Sequence, residues 1–228
     1  PSWSSIMTVN LAFWAFAVSH SLFISNAFKA LVRRVIGETY FLAFYRLAFV
    51  AVSGLSVSAA VWVITRQPNG MVYSVPGLLG WLLRGVQFLG FALFALSFRN
   101  LDGLKWLGLR PALYYLRHRE ASEELYPFRR NRFDTCGTYC LVRHPMYLGL
   151  IVMAWAEPSM SLNHLIIAAS STLYFYIGSL LEERRMVAQF GEPYIRYQRE
   201  VPRLIPWRWL KAQLAKAGRG GENGTSRS

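Results

Sequence analysis

The sequence predicts an all-α integral membrane protein with about five transmembrane helices. Three observations carry that reading. The chain is 54% hydrophobic and 15% aromatic, with a mean hydropathy of +0.24; both are high for a soluble domain and suit a membrane protein of one domain. Its apolar residues fall into runs close to the roughly 20 residues that a helix needs to cross a bilayer core. Its basic residues gather in alternate connections between those runs.

The first run, Ile6–Ile24, is long enough to span and has neither a positive n-region nor a small-residue cleavage exit, so it reads as a span rather than a signal peptide. The second, Tyr40–Ile64, is broken only by Arg46 and small residues. The third, Val75–Phe98, contains Arg84 and Gln87. The fourth, Met146–Ala156, is short before Glu157-Pro158 and must borrow Cys140–Pro145 or cross at an angle. The fifth, Leu162–Leu181, follows almost at once, which predicts a tight helical hairpin. Phe190 to Pro206 reads as a short amphipathic helix bounded by proline, with Tyr194 and Tyr197 on one face. Residues 1–211 form one domain. The tail, 212–228, is rich in Gly, Ser, Lys and Arg and is expected to be disordered.

The connections orient the bundle. Lys29, Arg33 and Arg34 lie between runs one and two. Nine Lys and Arg residues, from Arg99 to Arg143, lie between three and four, and Arg184 to Lys211 follow run five. The other two turns carry little positive charge. The positive-inside rule then places the N-terminus outside and the C-terminus in the cytoplasm. The formal charge of +13 is therefore loop charge, and nucleic acid is not expected as a partner; the membrane lipid bilayer is. Two cysteines, Cys136 and Cys140, are too few for a disulfide framework and lack partners at zinc-site spacing, so no metal is expected.

The residues that suggest chemistry run from Gly137 to Gly149. Pro145 suits the first turn of a helix, where its missing N–H costs nothing. Arg143 and His144 then stand just before a helix N-terminus, a place that attracts anions. Tyr139 and Tyr147 supply aromatic faces, and Gly149 allows close backbone approach. An interfacial anchor would explain Arg143 and the tyrosines alone, but it needs neither His144 nor paired glycines. Glu182 and Glu183 are expected at the C-terminal end of the last apolar helix, where they oppose the helix dipole. Either Arg184 and Arg185 offset them, or one glutamate turns inward to a cationic ligand.

The combination of Gly137, Tyr139, Arg143-His144-Pro145, Tyr147 and Gly149 with Glu182-Glu183, Phe190-Gly191, Tyr194, Tyr197, Val201-Pro202 and Pro206 resembles a group of membrane methyltransferases. The group includes isoprenylcysteine carboxyl methyltransferases and bacterial phospholipid methyltransferases. Val142–Met160, His164-Leu165, Ser19-His20-Ser21 and Phe28-Lys29 most resemble its methanethiol S-methyltransferase branch. Ser19 stands where that branch tends to carry Gln, and Leu101–Pro111 departs from its third-loop run. The resemblance implies a bacterial inner-membrane enzyme that uses S-adenosylmethionine (SAM), with its cofactor half at about 134–206. It also implies cofactor contacts from Tyr139, Val142, Arg143, His144, Pro145, Tyr147, Gly149, Glu182, Glu183 and Tyr194. Aromatic faces suit the sulfonium, Arg143 and the helix start suit the carboxylate, and Glu183 or Glu182 suits the amine or a ribose hydroxyl.

The methyl acceptor is expected to be a small or lipophilic thiol. A prenylcysteine carboxylate and a lipid amine are the alternatives. Arg84, Arg99 and His20 are the candidate catalytic residues on the acceptor side. Arg84 and Arg99 would bind a polar head, unless they snorkel or pair, and His20 would act as a base, unless it only packs. Membrane sterol reductases share Arg-His-Pro-x-Tyr but bind NADPH and usually carry Asn where Met146 stands. A non-catalytic membrane protein is a further alternative. The oligomeric state is open.

Overall fold

The computed structural model describes residues 2–99, 102–125, 135, 137–209 and 211. The expected disordered tail, 212–228, lies outside these residues, as do Cys136 and the basic run Arg129, Arg130 and Arg132. Helices α1 (Trp3–Ile24), α3 (Glu38–Thr65), α4 (Gly77–Leu96) and α8 (Leu162–Phe190) are each long and apolar enough to cross a membrane. Between them lie α2 (Asn26–Ile36), α5 (Gly103–Leu107), α6 (Leu109–His118) and α7 (Pro145–Trp155), and α9 (Glu192–Glu200) follows α8. Among the described residues, the architecture is an all-α membrane bundle with one small ribbon of strand.

Local chemistry sets the helix starts. The Ser2, Ser25 and Ser161 hydroxyls accept the backbone N–H three residues on, at the starts of α1, α2 and α8, which satisfies donors that a helix start leaves open. Pro145 and Pro193 fill the first turns of α7 and α9. The long helices turn apolar side chains outward, Leu78, Trp81 and Leu55 among them, as a helix surrounded by lipid does. A compact core of Phe41, Leu42, Tyr45 and Phe49 lies at the start of α3. Beside it the buried Arg46 donates from Nε to the Trp106 carbonyl and sits 4.6 Å over that residue's ring. Such pairing is how a membrane segment tolerates a charge.

The short fourth run is resolved by α7. It has 11 residues, about 16 Å at 1.5 Å per residue. It does not borrow the residues before it, because Gly137–Cys140 is a separate 3-10 turn. It packs instead into α4 through facing glycines. A Cβ on Gly149 would stand 2.6 Å from the Gly90 carbonyl oxygen, and one on Gly90 would stand 2.9 Å from the Gly149 carbonyl oxygen. Only glycine at both positions allows that approach. Past α7, strand β2 (Ser159–Ser161) pairs antiparallel with β1 (Met71–Ser74), with a bulge between Met71 and Tyr73. This ribbon ties together the two turns that the sequence left as plain connections.

One expectation is corrected. Glu182 and Glu183 do not end the last apolar helix, since α8 runs on to Phe190. They lie inside it, so the helix dipole is not what they must offset.

Candidate active site

Past α8, Gly191 adopts φ +61°, a backbone region that glycine enters at low cost, and the chain turns sharply into α9. The turn brings the end of α9 back against the start of α7. There Arg143 N–H donates to the Pro202 carbonyl at 2.9 Å and His144 N–H to the Arg203 carbonyl at 3.1 Å. Val201-Pro202 therefore works through its backbone, as the strap that closes the site.

Glu183 is the centre of the knot beneath that strap. Its side chain is 3% exposed and accepts from four residues. Arg143 donates from Nε at 2.8 Å and Nη2 at 3.1 Å. Arg203 donates from Nε at 3.1 Å and Nη2 at 2.9 Å. Gln198 donates at 2.9 Å, and His144 Nε2 lies 3.1 Å away. A buried carboxylate is stable only when paired and hydrogen-bonded in this way. Arg143 Nη1 also donates to the Gln198 carbonyl at 2.7 Å and to the Val201 carbonyl. Of the five N–H donors of a guanidinium, only the second on Nη2 lacks a partner among the described residues.

Glu182 points elsewhere. Its side chain is 43% exposed and lies 3.6 Å from His144 Nδ1. Its carboxylate accepts the Tyr147 hydroxyl at 3.0 Å. Tyr147 stacks between the rings of His144, at 5.3 Å and 2°, and Phe175, at 5.1 Å and 14°. These groups open onto a pocket of about 110 Å³ lined by Tyr139, Arg143, His144, Pro145, Met146, Tyr147, Glu182, Met186, Tyr194 and Tyr197. Tyr197 donates to the Tyr139 carbonyl at 2.7 Å. Burial pushes the Tyr194 and Tyr197 phenols well above their usual range, so both stay neutral at physiological pH.

The pocket thus gathers Tyr139, Arg143, His144, Pro145, Tyr147, Glu182 and Tyr194 from the sequence-predicted set. Three others stand apart from its lining. Val142 is fully buried beneath it, Gly149 faces α4, and Glu183 is enclosed in the knot. Sequence reasoning missed Met186, Gln198 and Arg203 as parts of the site. Met186 lies one helical turn beyond Glu182, so its placement was legible once α8 was known to continue. Gln198 and Arg203 reach the site through the turn at Gly191, which folds α9 back over the cluster, the alternative to its lying on the membrane surface.

On the acceptor side, Arg84 forms a two-pronged ion pair with Glu157, at 3.1 and 2.9 Å. Gln87 donates to the same carboxylate at 3.1 Å. Burial raises the Glu157 pKa, but hydrogen bonds from Gln87, the Ser159 N–H and Arg84 outweigh it and hold the group below its ordinary value. Arg84 and Gln87 thus latch α4 to the far end of α7. Arg99 is exposed just past α4. Neither arginine lines the pocket. His20 lies against Tyr174 of α8, with Nδ1 3.0 Å from its hydroxyl.

A larger concavity of about 450 Å³ is lined by Asn26, Lys29, Ala30, Arg33, Arg34 and Glu38. Burial, and then the charge of Arg185, pulls the Lys29 ammonium down to about 8. It has no aromatic wall, and of its lining Arg33 and Glu38 pair with each other at 3.0 Å. Its chemistry does not match a sulfonium.

A model of the NnrU protein family matches residues 8–204. Methanethiol S-methyltransferase 2 of Bradyrhizobium diazoefficiens is 34% identical over 191 residues, covering 84% of this chain and 69% of that protein. Methanethiol S-methyltransferase of Pseudomonas deceptionensis is 34% identical over 208 residues, covering 90% and 74%. The protein of that name from Mycobacterium tuberculosis is 32% identical over 198 residues, covering 84% and 74%. No solved structure matches. The narrower resemblance, to the methanethiol S-methyltransferase branch, agrees with these relatives. The chain belongs to the NnrU family.

Proposed function

We propose that this chain is an integral membrane methyltransferase that carries a methyl group from SAM to the sulfur of a small thiol, methanethiol or a near analogue. The observation that carries the reading is the pocket, in which a carboxylate, Glu182, faces aromatic walls. A ligand with a sulfonium and an ammonium group matches that combination. SAM supplies a methyl group already activated as a sulfonium substituent. Glu182 would hold the amine or a ribose hydroxyl, and Tyr139, Tyr147 and Tyr194 would face the sulfonium. The start of α7 and the remaining Arg143 N–H would receive the carboxylate. Glu183 shapes the site without touching the ligand. At about 110 Å³ the pocket is below the roughly 300–1,000 Å³ of sites that enclose a small molecule, so the ligand extends out of it or Tyr147 swings aside.

The catalytic unit spans residues 1–211, with its cofactor half at about 134–206. The basic residues of α2 and those that follow α8 support a cytosolic site, an outside N-terminus and a cytoplasmic C-terminus in a bacterial inner membrane. The donor then arrives from the cytosol and the thiol from the bilayer. Purified protein incubated with methyl-labelled SAM and a panel of thiols, prenylcysteines and phospholipids tests the reading. Label is expected in the methyl thioether of a small thiol. Label only in prenylcysteine or lipid, or in nothing, contradicts it.

A further inference from the structure

A second polar group lies deeper between α1 and α8. His20 Nδ1 is 3.0 Å from the Tyr174 hydroxyl, and the Ser21 hydroxyl is 3.2 Å from that same oxygen. Phe16 and Phe49 flank the imidazole, and Phe13 meets the Tyr174 ring edge-on. An imidazole inside an apolar segment is costly unless paired, and marks a candidate functional site. None of His20, Ser21 and Tyr174 takes part in the Glu183 knot.

The group connects to the pocket along α8. Tyr174, Gly178 and Glu182 follow one another at four-residue spacing, so they share one stripe of the helix. Glu182 lines the pocket. Gly178, between them, is half-buried, and a Cβ there would meet no described atom within 4 Å. Tyr147 and Phe175 stack beside this stripe, and the Phe175 ring lies 5.8 Å from that of Tyr174. Gly178 thus leaves open space on the stripe between Tyr174, whose hydroxyl meets the imidazole, and Glu182, which lines the pocket.

We propose that the acceptor thiol occupies the gap at Gly178 and that His20 takes its proton. The proposal rests on the thiol methyltransferase reading above. A neutral thiol is a weak nucleophile until it loses its proton. The proposal requires the tautomer in which Nδ1–H donates to the Tyr174 oxygen, which leaves the lone pair on Nε2. The acceptor sulfur forms its new bond to the methyl carbon as the bond from that carbon to the donor sulfur breaks, its electron pair staying with the donor. The S–H proton passes to Nε2 and then to water. The absence of a side chain at Gly178 favours small acceptors, and the apolar surroundings favour uncharged ones.

The test uses the full chain in detergent micelles. The sequence has 4 histidines, so a spectrum of ¹⁵N-labelled imidazoles is assignable. Ethanethiol is expected to shift the His20 nitrogens in the wild type and not in Gly178→Leu. His20→Gln is expected to lose roughly 10²- to 10⁴-fold in methylation of ethanethiol, the range of general-base catalysis. It should lose far less with trifluoroethanethiol, which is close to ethanethiol in size but ionises more readily, and keep its affinity for SAM. Equal losses with both thiols, or no response of His20 to ethanethiol, overturn the proposal while SAM binding persists. Failure of the wild type to bind SAM overturns the methyltransferase reading itself, and this proposal with it.

Discussion

Neighbouring acids on one helix point about 100° apart, and that angle divides the labour of Glu182 and Glu183. Glu183 is enclosed by arginine, glutamine and histidine donors, whereas Glu182 faces the pocket beside Tyr147. Glu183→Ala is expected to destabilise the protein by about 3–5 kcal/mol, because it leaves buried cations without a partner. A thermal melt followed by circular dichroism reads this directly. Glu182→Gln should leave the melt nearly unchanged and weaken SAM binding by about 1.5–3 kcal/mol, the scale of a hydrogen bond to a charged group. Arg143→Lys should behave like Glu183→Ala, though more mildly, since an ammonium cannot form the two-pronged contact. The sequence showed that an acid pair and an Arg-His pair belonged together. It could not assign the acids, because the choice depends on where α9 and Arg203 lie, and that is set far from both glutamates.

At the scale of elements, α7 is held by α4 on one side and by the latch at its far end. Gly149→Val places side-chain carbons against the Gly90 carbonyl and the Phe94 N–H, which a Cβ would already approach to 2.6 and 2.8 Å. A loss of about 1–3 kcal/mol or more is expected from such overpacking, seen as a lowered melting temperature. Arg84→Ala leaves the Glu157 carboxylate, whose side chain is 15% exposed, without its charged partner; it is expected to lower the melting temperature and to leave SAM affinity unchanged. Glu157 has its pKa lowered in the folded state. Its contribution is therefore fully present above the unfolded value of about 4.3 and is lost as pH falls through the folded value. An acid titration of stability should lose that component in Glu157→Gln. The five apolar runs were legible from length and hydropathy alone. The continuation of α8 was not, because Glu182, Arg184 and Arg185 end the apolar run while remaining good helix formers. The β1–β2 ribbon was hidden for a different reason: short strands far apart in sequence leave no periodic signal.

For the whole molecule, two ideas meet at one end of the bundle. The strap of α9 and Val201-Pro202 closes over the start of α7, and the basic residues of α2 and α8 lie in the segments next to that end in sequence. The proposed topology puts this end in the cytosol, and on that proposal a reporter fused after residue 211 is expected to be active only as a cytosolic reporter. The central claim is that the pocket bearing Glu182 binds SAM. Isothermal titration of the purified protein and of Glu182→Gln with SAM, with NADPH as control, tests it most directly. The account predicts that SAM binds the wild type, that Glu182→Gln binds it about ten- to a hundredfold more weakly with an unchanged melt, and that NADPH does not bind. Binding of NADPH in place of SAM, or full SAM affinity in Glu182→Gln, would contradict it.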